Sequence, residues 1–194
     1  MTPGEPAPIA PRAPSGTPDA GTASRWGRLR SYRLLWGLAI AVFVLDQVPK
    51  IWINARLPLD TYGPPGAITV IDGFFYLVHV GNTGAAWSML SGKSGFLAGL
   101  AFVTLGAIYI WRRELGLRDR PVQLAFGLLC GGIVGNLVDR RLHGHVIDFL
   151  DFHFGSYTYP TFNFADAGIC IGVGIYLIHS FRHPVESDKA APKA

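Results

Sequence analysis

Charged side chains are scarce in this chain, because aspartate, glutamate, lysine and arginine make up only 15% of its 194 residues. Soluble domains carry about 25% charged residues, so the shortage argues against a surface that faces water on all sides. Hydrophobic residues account for 49% of the chain, and the mean hydropathy is +0.29. A chain of this length has room for one compact unit and not for two large domains.

Cysteine is scarce as well. The two cysteines, Cys130 and Cys170, each lie within an apolar run and show no CxxC spacing. We predict that both are buried, small apolar side chains rather than partners in a disulfide or ligands in a metal site.

Motifs of several enzyme classes are missing. The sequence contains no HExxH, no GxSxG and no glycine-rich phosphate loop. His143, His145, Asp148 and His153 lie close together and could bind zinc by composition, but their spacing matches no common zinc site. A zinc site therefore stays a minor alternative. The net charge of +4 does not indicate nucleic-acid binding, because the basic residues flank apolar runs and form no patch with aromatics between them.

Four long apolar segments dominate what is present. They cover residues 34–53, 95–111, 121–138 and 161–181, and each is close to the roughly 20 residues that a helix needs to cross a bilayer. The first segment follows several arginines, as a signal peptide would. Its length and the lack of a small-residue cleavage site favour a retained anchor. We predict an all-α membrane protein with four transmembrane helices.

Basic residues predict the sidedness of these helices. They are concentrated before the first segment, in the loop at residues 112–120 and in the C-terminal tail, whereas the other two loops contain fewer. By the positive-inside rule, both termini and the middle loop are cytoplasmic. The two remaining loops then face outward.

The chain divides into three parts. Residues 1–24 are rich in proline, alanine and glycine and are predicted to be disordered. Residues 25–183 form the membrane domain, and residues 184–194 are a short tail. In the first outer loop, residues 68–80 are rich in β-branched and aromatic side chains, and Asp72-Gly73 is a favoured two-residue hairpin turn. This pattern predicts a small extracytoplasmic β-sheet.

Polar residues in or near the segments are candidates for function, because an ionisable side chain in a membrane is costly. By position they all fall toward the outer ends of the segments. The candidates are Asp46, Lys50, Asn82, Asn136, Asp139, Asp148, Asn163 and Asp166. The glycines of the third segment, Gly131, Gly132 and Gly135, would allow another helix to approach closely and bring these carboxylates together.

Each candidate has a structural alternative. Asp46 and Lys50 are four residues apart on one helix face, so they can pair either as a structural ion pair or within an active site. Asn136, Asn163 and Asp139 could simply bond to helix ends. Asp148 could be an exposed loop carboxylate. Asp166 lies one or two turns inside the fourth segment, so its carboxyl group must be paired with another group, be protonated or take part in function.

A pair of close carboxylates has a defined chemistry. The two cannot both ionise freely, since like charges raise one pKa and lower the other. The ionised carboxylate can then take a proton from water, while the protonated one donates to the carbonyl of an amide. Two carboxylates among the candidates, if held close together, could therefore cut a peptide bond.

Four blocks of the sequence resemble the motifs of lipoprotein signal peptidase, also called the signal peptidase II family. Residues 46–50 read DQVPK, residues 82–87 read NTGAAW and residues 162–166 read FNFAD. The block at residues 131–149 includes Gly131 to Asn136, Asp139-Arg140, Gly144, Val146 and Asp148-Phe149. The resemblance runs from the first segment to the fourth. Trp87 stands where this family usually has phenylalanine, and Ala167 stands where it usually has serine.

This resemblance implies a four-helix aspartic endopeptidase of the bacterial cytoplasmic (inner) membrane, with its active site near the outer face. Such an enzyme removes signal peptides from prolipoproteins, cutting just before a cysteine that carries diacylglycerol. Its partners would be lipid-modified prolipoproteins and membrane lipids, it would be inhibited by globomycin, and it would need no cofactor or metal. The implied catalytic residues are Asp148 and Asp166. The implied substrate-binding or positioning residues are Asp46, Lys50, Asn82, Gly84, Asn136, Asp139, Arg140 and Asn163.

Two other classes remain open at this point. A small transporter could use the aspartates as an ion path, but its carboxylates should be spread across the bilayer rather than gathered on one side. A non-enzymatic scaffold would need neither Asp148 nor Asp166. Cleavage of a lipidated prolipoprotein distinguishes all three.

Overall fold

The computed structural model describes residues 31–85 and 89–183. The predicted tails at residues 1–24 and 184–194 and the departure at Trp87 lie outside these ranges. Within these ranges, one pair of strands lies between the first and second helices, and a second pair lies between the third and fourth helices. The elements are α1 Arg33–Arg56, β1 Ile68–Ile71, β2 Phe75–Asn82, α2 Ser94–Ile110, α3 Arg120–Leu142, β3 Val146–Phe154, β4 Tyr157–Thr158 and α4 Phe164–Arg182.

Helix α3 lies at the centre of the bundle and packs mainly against α1 and α4. A Cβ atom added at Gly131 would come within 2.6 Å of Ala39 O on α1, and one at Gly132 would collide with Ala165 O on α4. A Cβ at Gly135 would come within 2.6 Å of Asp46 Oδ2. The predicted close approach at these glycines is confirmed, and it brings the polar ends of three helices together.

The membrane character of the bundle is visible in its exposed surface. Three helices, α1, α3 and α4, are long and apolar enough to cross a membrane, whereas α2 is an apolar helix of 17 residues. Most of α1 and α4 is not covered by protein, while most of α3 is buried. A mostly helical membrane protein with a small sheet is therefore confirmed for the described residues. The fourth span stays a prediction.

The small sheet is antiparallel, with strand order β1-β2-β3-β4. Its first hairpin occurs where it was predicted, but the connection has three residues, Asp72, Gly73 and Phe74, since Ile71 pairs directly with Phe75. The third residue is accommodated because Phe74 N bonds to Ile71 O and Gly73 adopts a φ of +72°. The prediction of a two-residue turn was therefore wrong, because the connection has three residues.

Strand β3 was not predicted. It pairs with β2 from Val146 to Phe152, with a register shift between Leu77 and Val80 of β2. The strand packs on the end of α1 through a buried cluster of Ile53, Ile147, Phe149 and Leu150. This contact anchors the sheet to the helix bundle next to the polar ends of α1, α3 and α4.

The opposite end of the bundle is held by a separate core. Leu35, Leu117 and Phe126 belong to one buried apolar cluster there. The buried Gln123 accepts from Leu35 N at 3.4 Å and donates to Ser31 O at 2.8 Å, so it links α3 to the start of α1.

The expectation for the cysteines was wrong in one respect. Both are free, but Cys130 is only partly buried and Cys170 is exposed on the surface of α4. Since this surface belongs to a membrane-spanning helix, an apolar thiol can face lipid there without being covered by protein.

Candidate active site

A buried lysine lies at the centre of the polar end of the bundle. Lys50 is 1% exposed, and its Nζ lies 2.7 Å from Asp46 Oδ2 and 2.7 Å from Asp139 Oδ2. It also donates to Asn136 Oδ1 at 3.1 Å, so three N–H groups meet three acceptors. We call Asp46, Lys50 and Asp139 the Lys50 cluster. The predicted pairing of Asp46 with Lys50 is confirmed, and such pairing is what makes the burial of these charges tolerable.

The aspartates of the Lys50 cluster also hold two backbone N–H groups. Asp46 Oδ1 accepts from Ala165 N at 2.9 Å, and Asp139 Oδ2 accepts from Ile147 N at 3.2 Å. Each donor directly precedes one of the two aspartates that the sequence predicts to be catalytic. The Lys50 cluster therefore holds the backbone next to both Asp148 and Asp166, and a single buried cation pairs with the two carboxylates that hold it.

Gln47 completes this arrangement and was missed by the sequence analysis. Its Nε2 lies 2.9 Å from Asp139 Oδ1, 3.2 Å from Asp46 Oδ2 and 3.3 Å from Gly135 O. It is thus a neutral bridge between two carboxylates. The available signal was its place next to an intramembrane aspartate, but a glutamine has no charge to mark it as costly in a membrane.

Asp148 and Asp166, which we call the aspartate pair, lie beside the Lys50 cluster and accept hydrogen bonds from neutral groups. Asp148 accepts from Asn82 Nδ2 at 3.0 Å and from Asn163 Nδ2 at 2.6 Å. Asp166 accepts from Asn136 Nδ2 at 2.8 Å and from Asn163 N at 3.3 Å. In the described part of the chain, no lysine, arginine or histidine nitrogen lies within 4.0 Å of either carboxylate.

The structure corrects the expected surroundings of both aspartates. Asp148 lies within β3, 1% exposed and opposite Val80 of β2, rather than in an open loop. Asp166 lies in the first turn of α4, because the helix begins at Phe164 and Asn163 caps it through a capping box with Asp166. The apolar run starts earlier than the helix since Phe162 pairs with β3.

Three asparagines are oriented by groups that can only donate. Asn136 Oδ1 accepts from Lys50 Nζ, and Asn82 Oδ1 accepts from Gly84 N at 2.8 Å. Asn163 Oδ1 accepts from a backbone N–H in the first turn of α4 at 2.9 Å. With its oxygen engaged in this way, each amide must turn its NH₂ group toward a carboxylate. The helix-capping alternative is correct for Asn163, which caps α4 and contacts Asp148 at once.

The electrostatic consequence is clearest at Asp148. Burial raises the pKa of its carboxyl to about 7, and repulsion from Asp166 acts in the same direction. Hydrogen bonds from Asn82 and Asn163 and the charge of Lys50 oppose this rise of the pKa without cancelling it. A carboxyl with such a pKa can hold a proton at neutral pH beside an ionised neighbour.

Arg140 joins the segment after β2 to α3. Its Nη2 donates to Gly84 O at 2.8 Å and its Nη1 to Asn136 O at 3.3 Å. Its Nε is buried and has no hydrogen-bond partner among the described residues. The structure therefore brings Arg140 and Gly84 to the edge of the site, while their roles toward a substrate stay a prediction.

The histidines of the zinc alternative do not converge. His153 Nε2 lies 2.8 Å from Asp151 Oδ2, whereas His143 and His145 lie beside one another with ring centroids 6.0 Å apart. Over residues 31–85 and 89–183, no group of three or more histidine, cysteine, aspartate or glutamate side chains could hold a metal ion. The zinc alternative has no support from this geometry.

Comparison with known proteins gives one consistent result. Residues 38–182 match the family described as Signal peptidase (SPase) II. The chain is 40% identical over 164 residues to a lipoprotein signal peptidase of Vibrio cholerae, covering 82% of this chain and 91% of the relative. It is 41% identical over 160 residues to the lipoprotein signal peptidase of Aeromonas hydrophila, covering 80% and 92% of the two chains.

Solved structures agree with these sequence relatives. One bacterial membrane enzyme, determined at 2.3 Å resolution, superposes with a TM-score of 0.69 at 30% identity, covering 82% of this chain and 94% of the other. A second, at 1.9 Å resolution, gives a TM-score of 0.66 at 32% identity, covering 77% and 93%. The fold described above is thus shared with enzymes that work in bacterial membranes.

Proposed function

The chain belongs to the signal peptidase II family, and from this membership we propose that Asp148 and Asp166 together cleave its substrate as an aspartic peptidase. It is a multi-pass bacterial membrane protease that removes signal peptides from prolipoproteins. The transporter and scaffold alternatives are thereby set aside.

In the proposed reaction, the ionised carboxylate of the aspartate pair accepts a proton from water. The water oxygen attacks the carbonyl carbon of the scissile peptide bond, and the protonated carboxyl donates its proton to the carbonyl oxygen. The C–N bond of the resulting diol then breaks: the departing nitrogen takes the proton that the pair gained from water, and one diol hydroxyl returns a proton to the other carboxylate as the new carboxyl terminus forms. The pair again holds one proton. This scheme needs no covalent intermediate and no cofactor.

The observation that carries the proposal is the contrast between charged and neutral partners. The Lys50 cluster has a cation at its centre, whereas Asp148 and Asp166 accept hydrogen bonds from neutral amides alone within the described residues. Two carboxylates arranged in this way can share one proton at neutral pH, which is the state that the reaction requires.

The other site residues take supporting roles in this proposal. Asn82, Asn136 and Asn163 keep the two carboxylates in place through their oriented NH₂ groups. The Lys50 cluster and Gln47 act one step further out, through backbone N–H groups and through Asn136. Arg140, which donates to Gly84 O, helps to position the peptide at this edge of the site.

The proposed substrate is a prolipoprotein whose cysteine carries diacylglycerol, cut just before that cysteine. In this proposal α2 forms the fourth span, both termini are cytoplasmic, and the site lies near the outer face of the cytoplasmic membrane. The acyl chains would remain in lipid and the peptide would enter sideways between spans. A globomycin-type inhibitor is expected to occupy the same site.

The proposal is tested by cleavage of a diacylglyceryl-modified precursor by the purified protein and by two variants, Asp148→Asn and Asp166→Asn. Each variant should lose on the order of a thousand-fold or more in kcat, because each carboxyl needs the other. For the same reason, the double variant should be little worse than either single one. EDTA should leave the wild-type rate unchanged, and an unlipidated precursor should be cut more slowly.

Asp151→Asn provides the matched control. Asp151 is another buried carboxylate of β3, but it pairs with His153 and not with Asp166. This variant should cleave at close to the wild-type rate. Modest losses in the two single variants that multiply in the double variant would exclude a shared-proton mechanism. Equal rates on lipidated and unlipidated precursors would exclude the proposed substrate while leaving the peptidase intact.

A further inference from the structure

The segment between α2 and α3 lines an open, basic depression of the surface, which we call the cavity, at the end of the bundle opposite the aspartate pair. The cavity has a volume of about 420 Å³ and is lined by Arg113, Gly116 and Arg118. It lies at the start of α3, whereas Asn136 and Asp139 lie near the end of that 23-residue helix. At about 1.5 Å per residue, this separation is roughly 25 Å or more. The cavity is therefore no part of the site described above.

This segment is folded into a fixed shape. Gly116 N bonds to Arg113 O at 3.1 Å, and Asp119 N bonds to Gly116 O at 2.9 Å. Between them Leu117, only 4% exposed, packs into the apolar cluster at this end of the bundle. Gly116 has a φ of +68°, and its missing side chain leaves the floor of the cavity open. The two arginines are thus presented on a preformed backbone.

Their guanidinium groups are also available. Within the described residues, neither Arg113 nor Arg118 makes a side-chain hydrogen bond or an ion pair. The carboxylate of Asp119 lies beside Gly116 and weakens the positive field without neutralising either arginine. Arg112 differs, since it donates to Tyr109 O at 2.7 Å and lies 4.6 Å from the centre of the Tyr109 ring.

The surroundings of the cavity favour a lipid as its ligand. Tyr109, Ile110 and Trp111 at the end of α2 are each more than half exposed, and exposed tyrosine and tryptophan at a helix end are typical of the membrane–water interface. Arginines one or two turns beyond this belt lie at the level of the lipid head groups. A guanidinium pair on a rigid backbone matches the geometry of a phosphate group.

We propose that this cavity binds the phosphate of an anionic phospholipid head group between Arg113 and Arg118. The proposal does not depend on which side of the membrane the loop faces or on how the peptide bond is cut. It gives the enzyme a preferred lipid at a fixed place on its surface, through contacts of the kind that basic pockets beside membrane helices make.

The test titrates the detergent-solubilised full-length protein with short-chain phosphatidylglycerol and counts bound lipid by native mass spectrometry. The double variant Arg113→Gln/Arg118→Gln should lose the tightest phosphatidylglycerol site, with roughly a five-fold weaker Kd for each arginine removed. Arg112→Gln, which removes one positive charge from the same loop, should keep it. Phosphatidylcholine should bind all three proteins equally weakly. Cleavage activity, measured at the far end of the bundle, verifies that each variant is folded.

Three results would overturn the proposal. The double variant could retain the tight phosphatidylglycerol site, or Arg112→Gln could lose it equally, which would reveal only general charge attraction. Inorganic phosphate or glycerol phosphate could also displace phosphatidylglycerol at comparable concentrations. The cavity would then be a site for a soluble anion rather than a lipid.

Discussion

Two groups of aspartates lie side by side in this protein and have opposite electrostatic surroundings; Asp46, Asp139 and Asp148 are buried, and Asp166 is partly buried. Asp46 and Asp139 share the ammonium of Lys50, with both contacts at 2.7 Å. Asp148 and Asp166 are held by asparagine amides and a backbone N–H. The same side chain is thus paired with a cation in one group and only with dipoles in the other.

The difference explains how one membrane site can contain both fixed and reactive carboxylates. A cation at contact distance favours the ionised form and makes a carboxylate a good structural anchor. Neutral donors position a carboxylate with less preference for its charged form, so burial and a like-charged neighbour can dominate its titration. The pKa of Asp148, raised to about 7 by burial and by Asp166, is the result of this second arrangement.

Removing the Lys50 cation should abolish the difference between the two groups of aspartates. It should have the largest effect on stability and on cleavage. Lys50→Met keeps the length of the side chain but leaves Asp46 and Asp139 buried without a counter-charge, which costs about 3–5 kcal/mol in comparable cases. Asn136 also loses the donor that orients it, so cleavage should fall severely. Thermal unfolding in detergent and the rate of precursor cleavage measure the two effects.

Two further variants make that result specific. Lys93→Met changes an exposed lysine and should alter neither property. Adding Asp46→Asn and Asp139→Asn to Lys50→Met removes the stranded charges, so most of the lost stability should return while cleavage stays low. If Lys50→Met alone unfolds at the wild-type temperature, the Lys50 cluster is not the anchor that we describe.

Much of this site could be predicted from local sequence. Asp46 and Lys50 are neighbours on one helix face by spacing alone, and the glycines of α3 indicate where α1 and α4 approach. Both members of the aspartate pair were candidates because carboxylates near membrane segments are costly, and the resemblance to the signal peptidase II family distinguished them from the other candidates. The predicted segments also agree with α1 to α4 to within a few residues, except at the end of α3, which continues to Leu142.

What could not be predicted depends on contacts between distant parts of the chain. Strand β3 exists because it pairs with β2, whose Val80 lies opposite Asp148, and no local pattern records that partner. The start of α4 is set by Asn163, whose amide also contacts Asp148. Gln47 contacts Asp139 on another helix. In each of these cases the residue type is ordinary and its partner gives it a role.

A pH series tests the titration of Asp148, and its expected effect on stability is smaller than that of Lys50→Met. The pKa of Asp148 is about 7 in the folded protein and about 3.9 in an unfolded chain. Because the folded state binds this proton more tightly, its contribution to stability is complete below the unfolded pKa. It is lost as the pH rises toward 7, by at most about 1.4 kcal/mol for each pH unit. Above about pH 7 no further loss is expected.

The Asp148→Asn variant removes that contribution, and its difference from wild type reports the titration of the coupled aspartate pair. The unfolding temperature of the variant relative to wild type should rise steadily between pH 5 and pH 7 and then level off. A constant difference between Asp148→Asn and wild type across this range would mean that Asp148 titrates like an ordinary carboxyl.

The smallest expected effect tests whether Gln47 belongs with the Lys50 cluster as a positioning residue. Gln47→Met removes the donor to Asp139 Oδ1 but keeps Lys50 and Ile147 N on the other oxygen, so stability should fall by only about 1 kcal/mol. Because Asp139 also holds the backbone next to Asp148, kcat should fall several-fold while KM changes little. Gln123→Met removes comparable hydrogen bonds at the opposite end of the bundle and should lower the unfolding temperature without changing kcat. If the two variants lose the same stability and both keep the wild-type kcat, Gln47 only stabilises the fold.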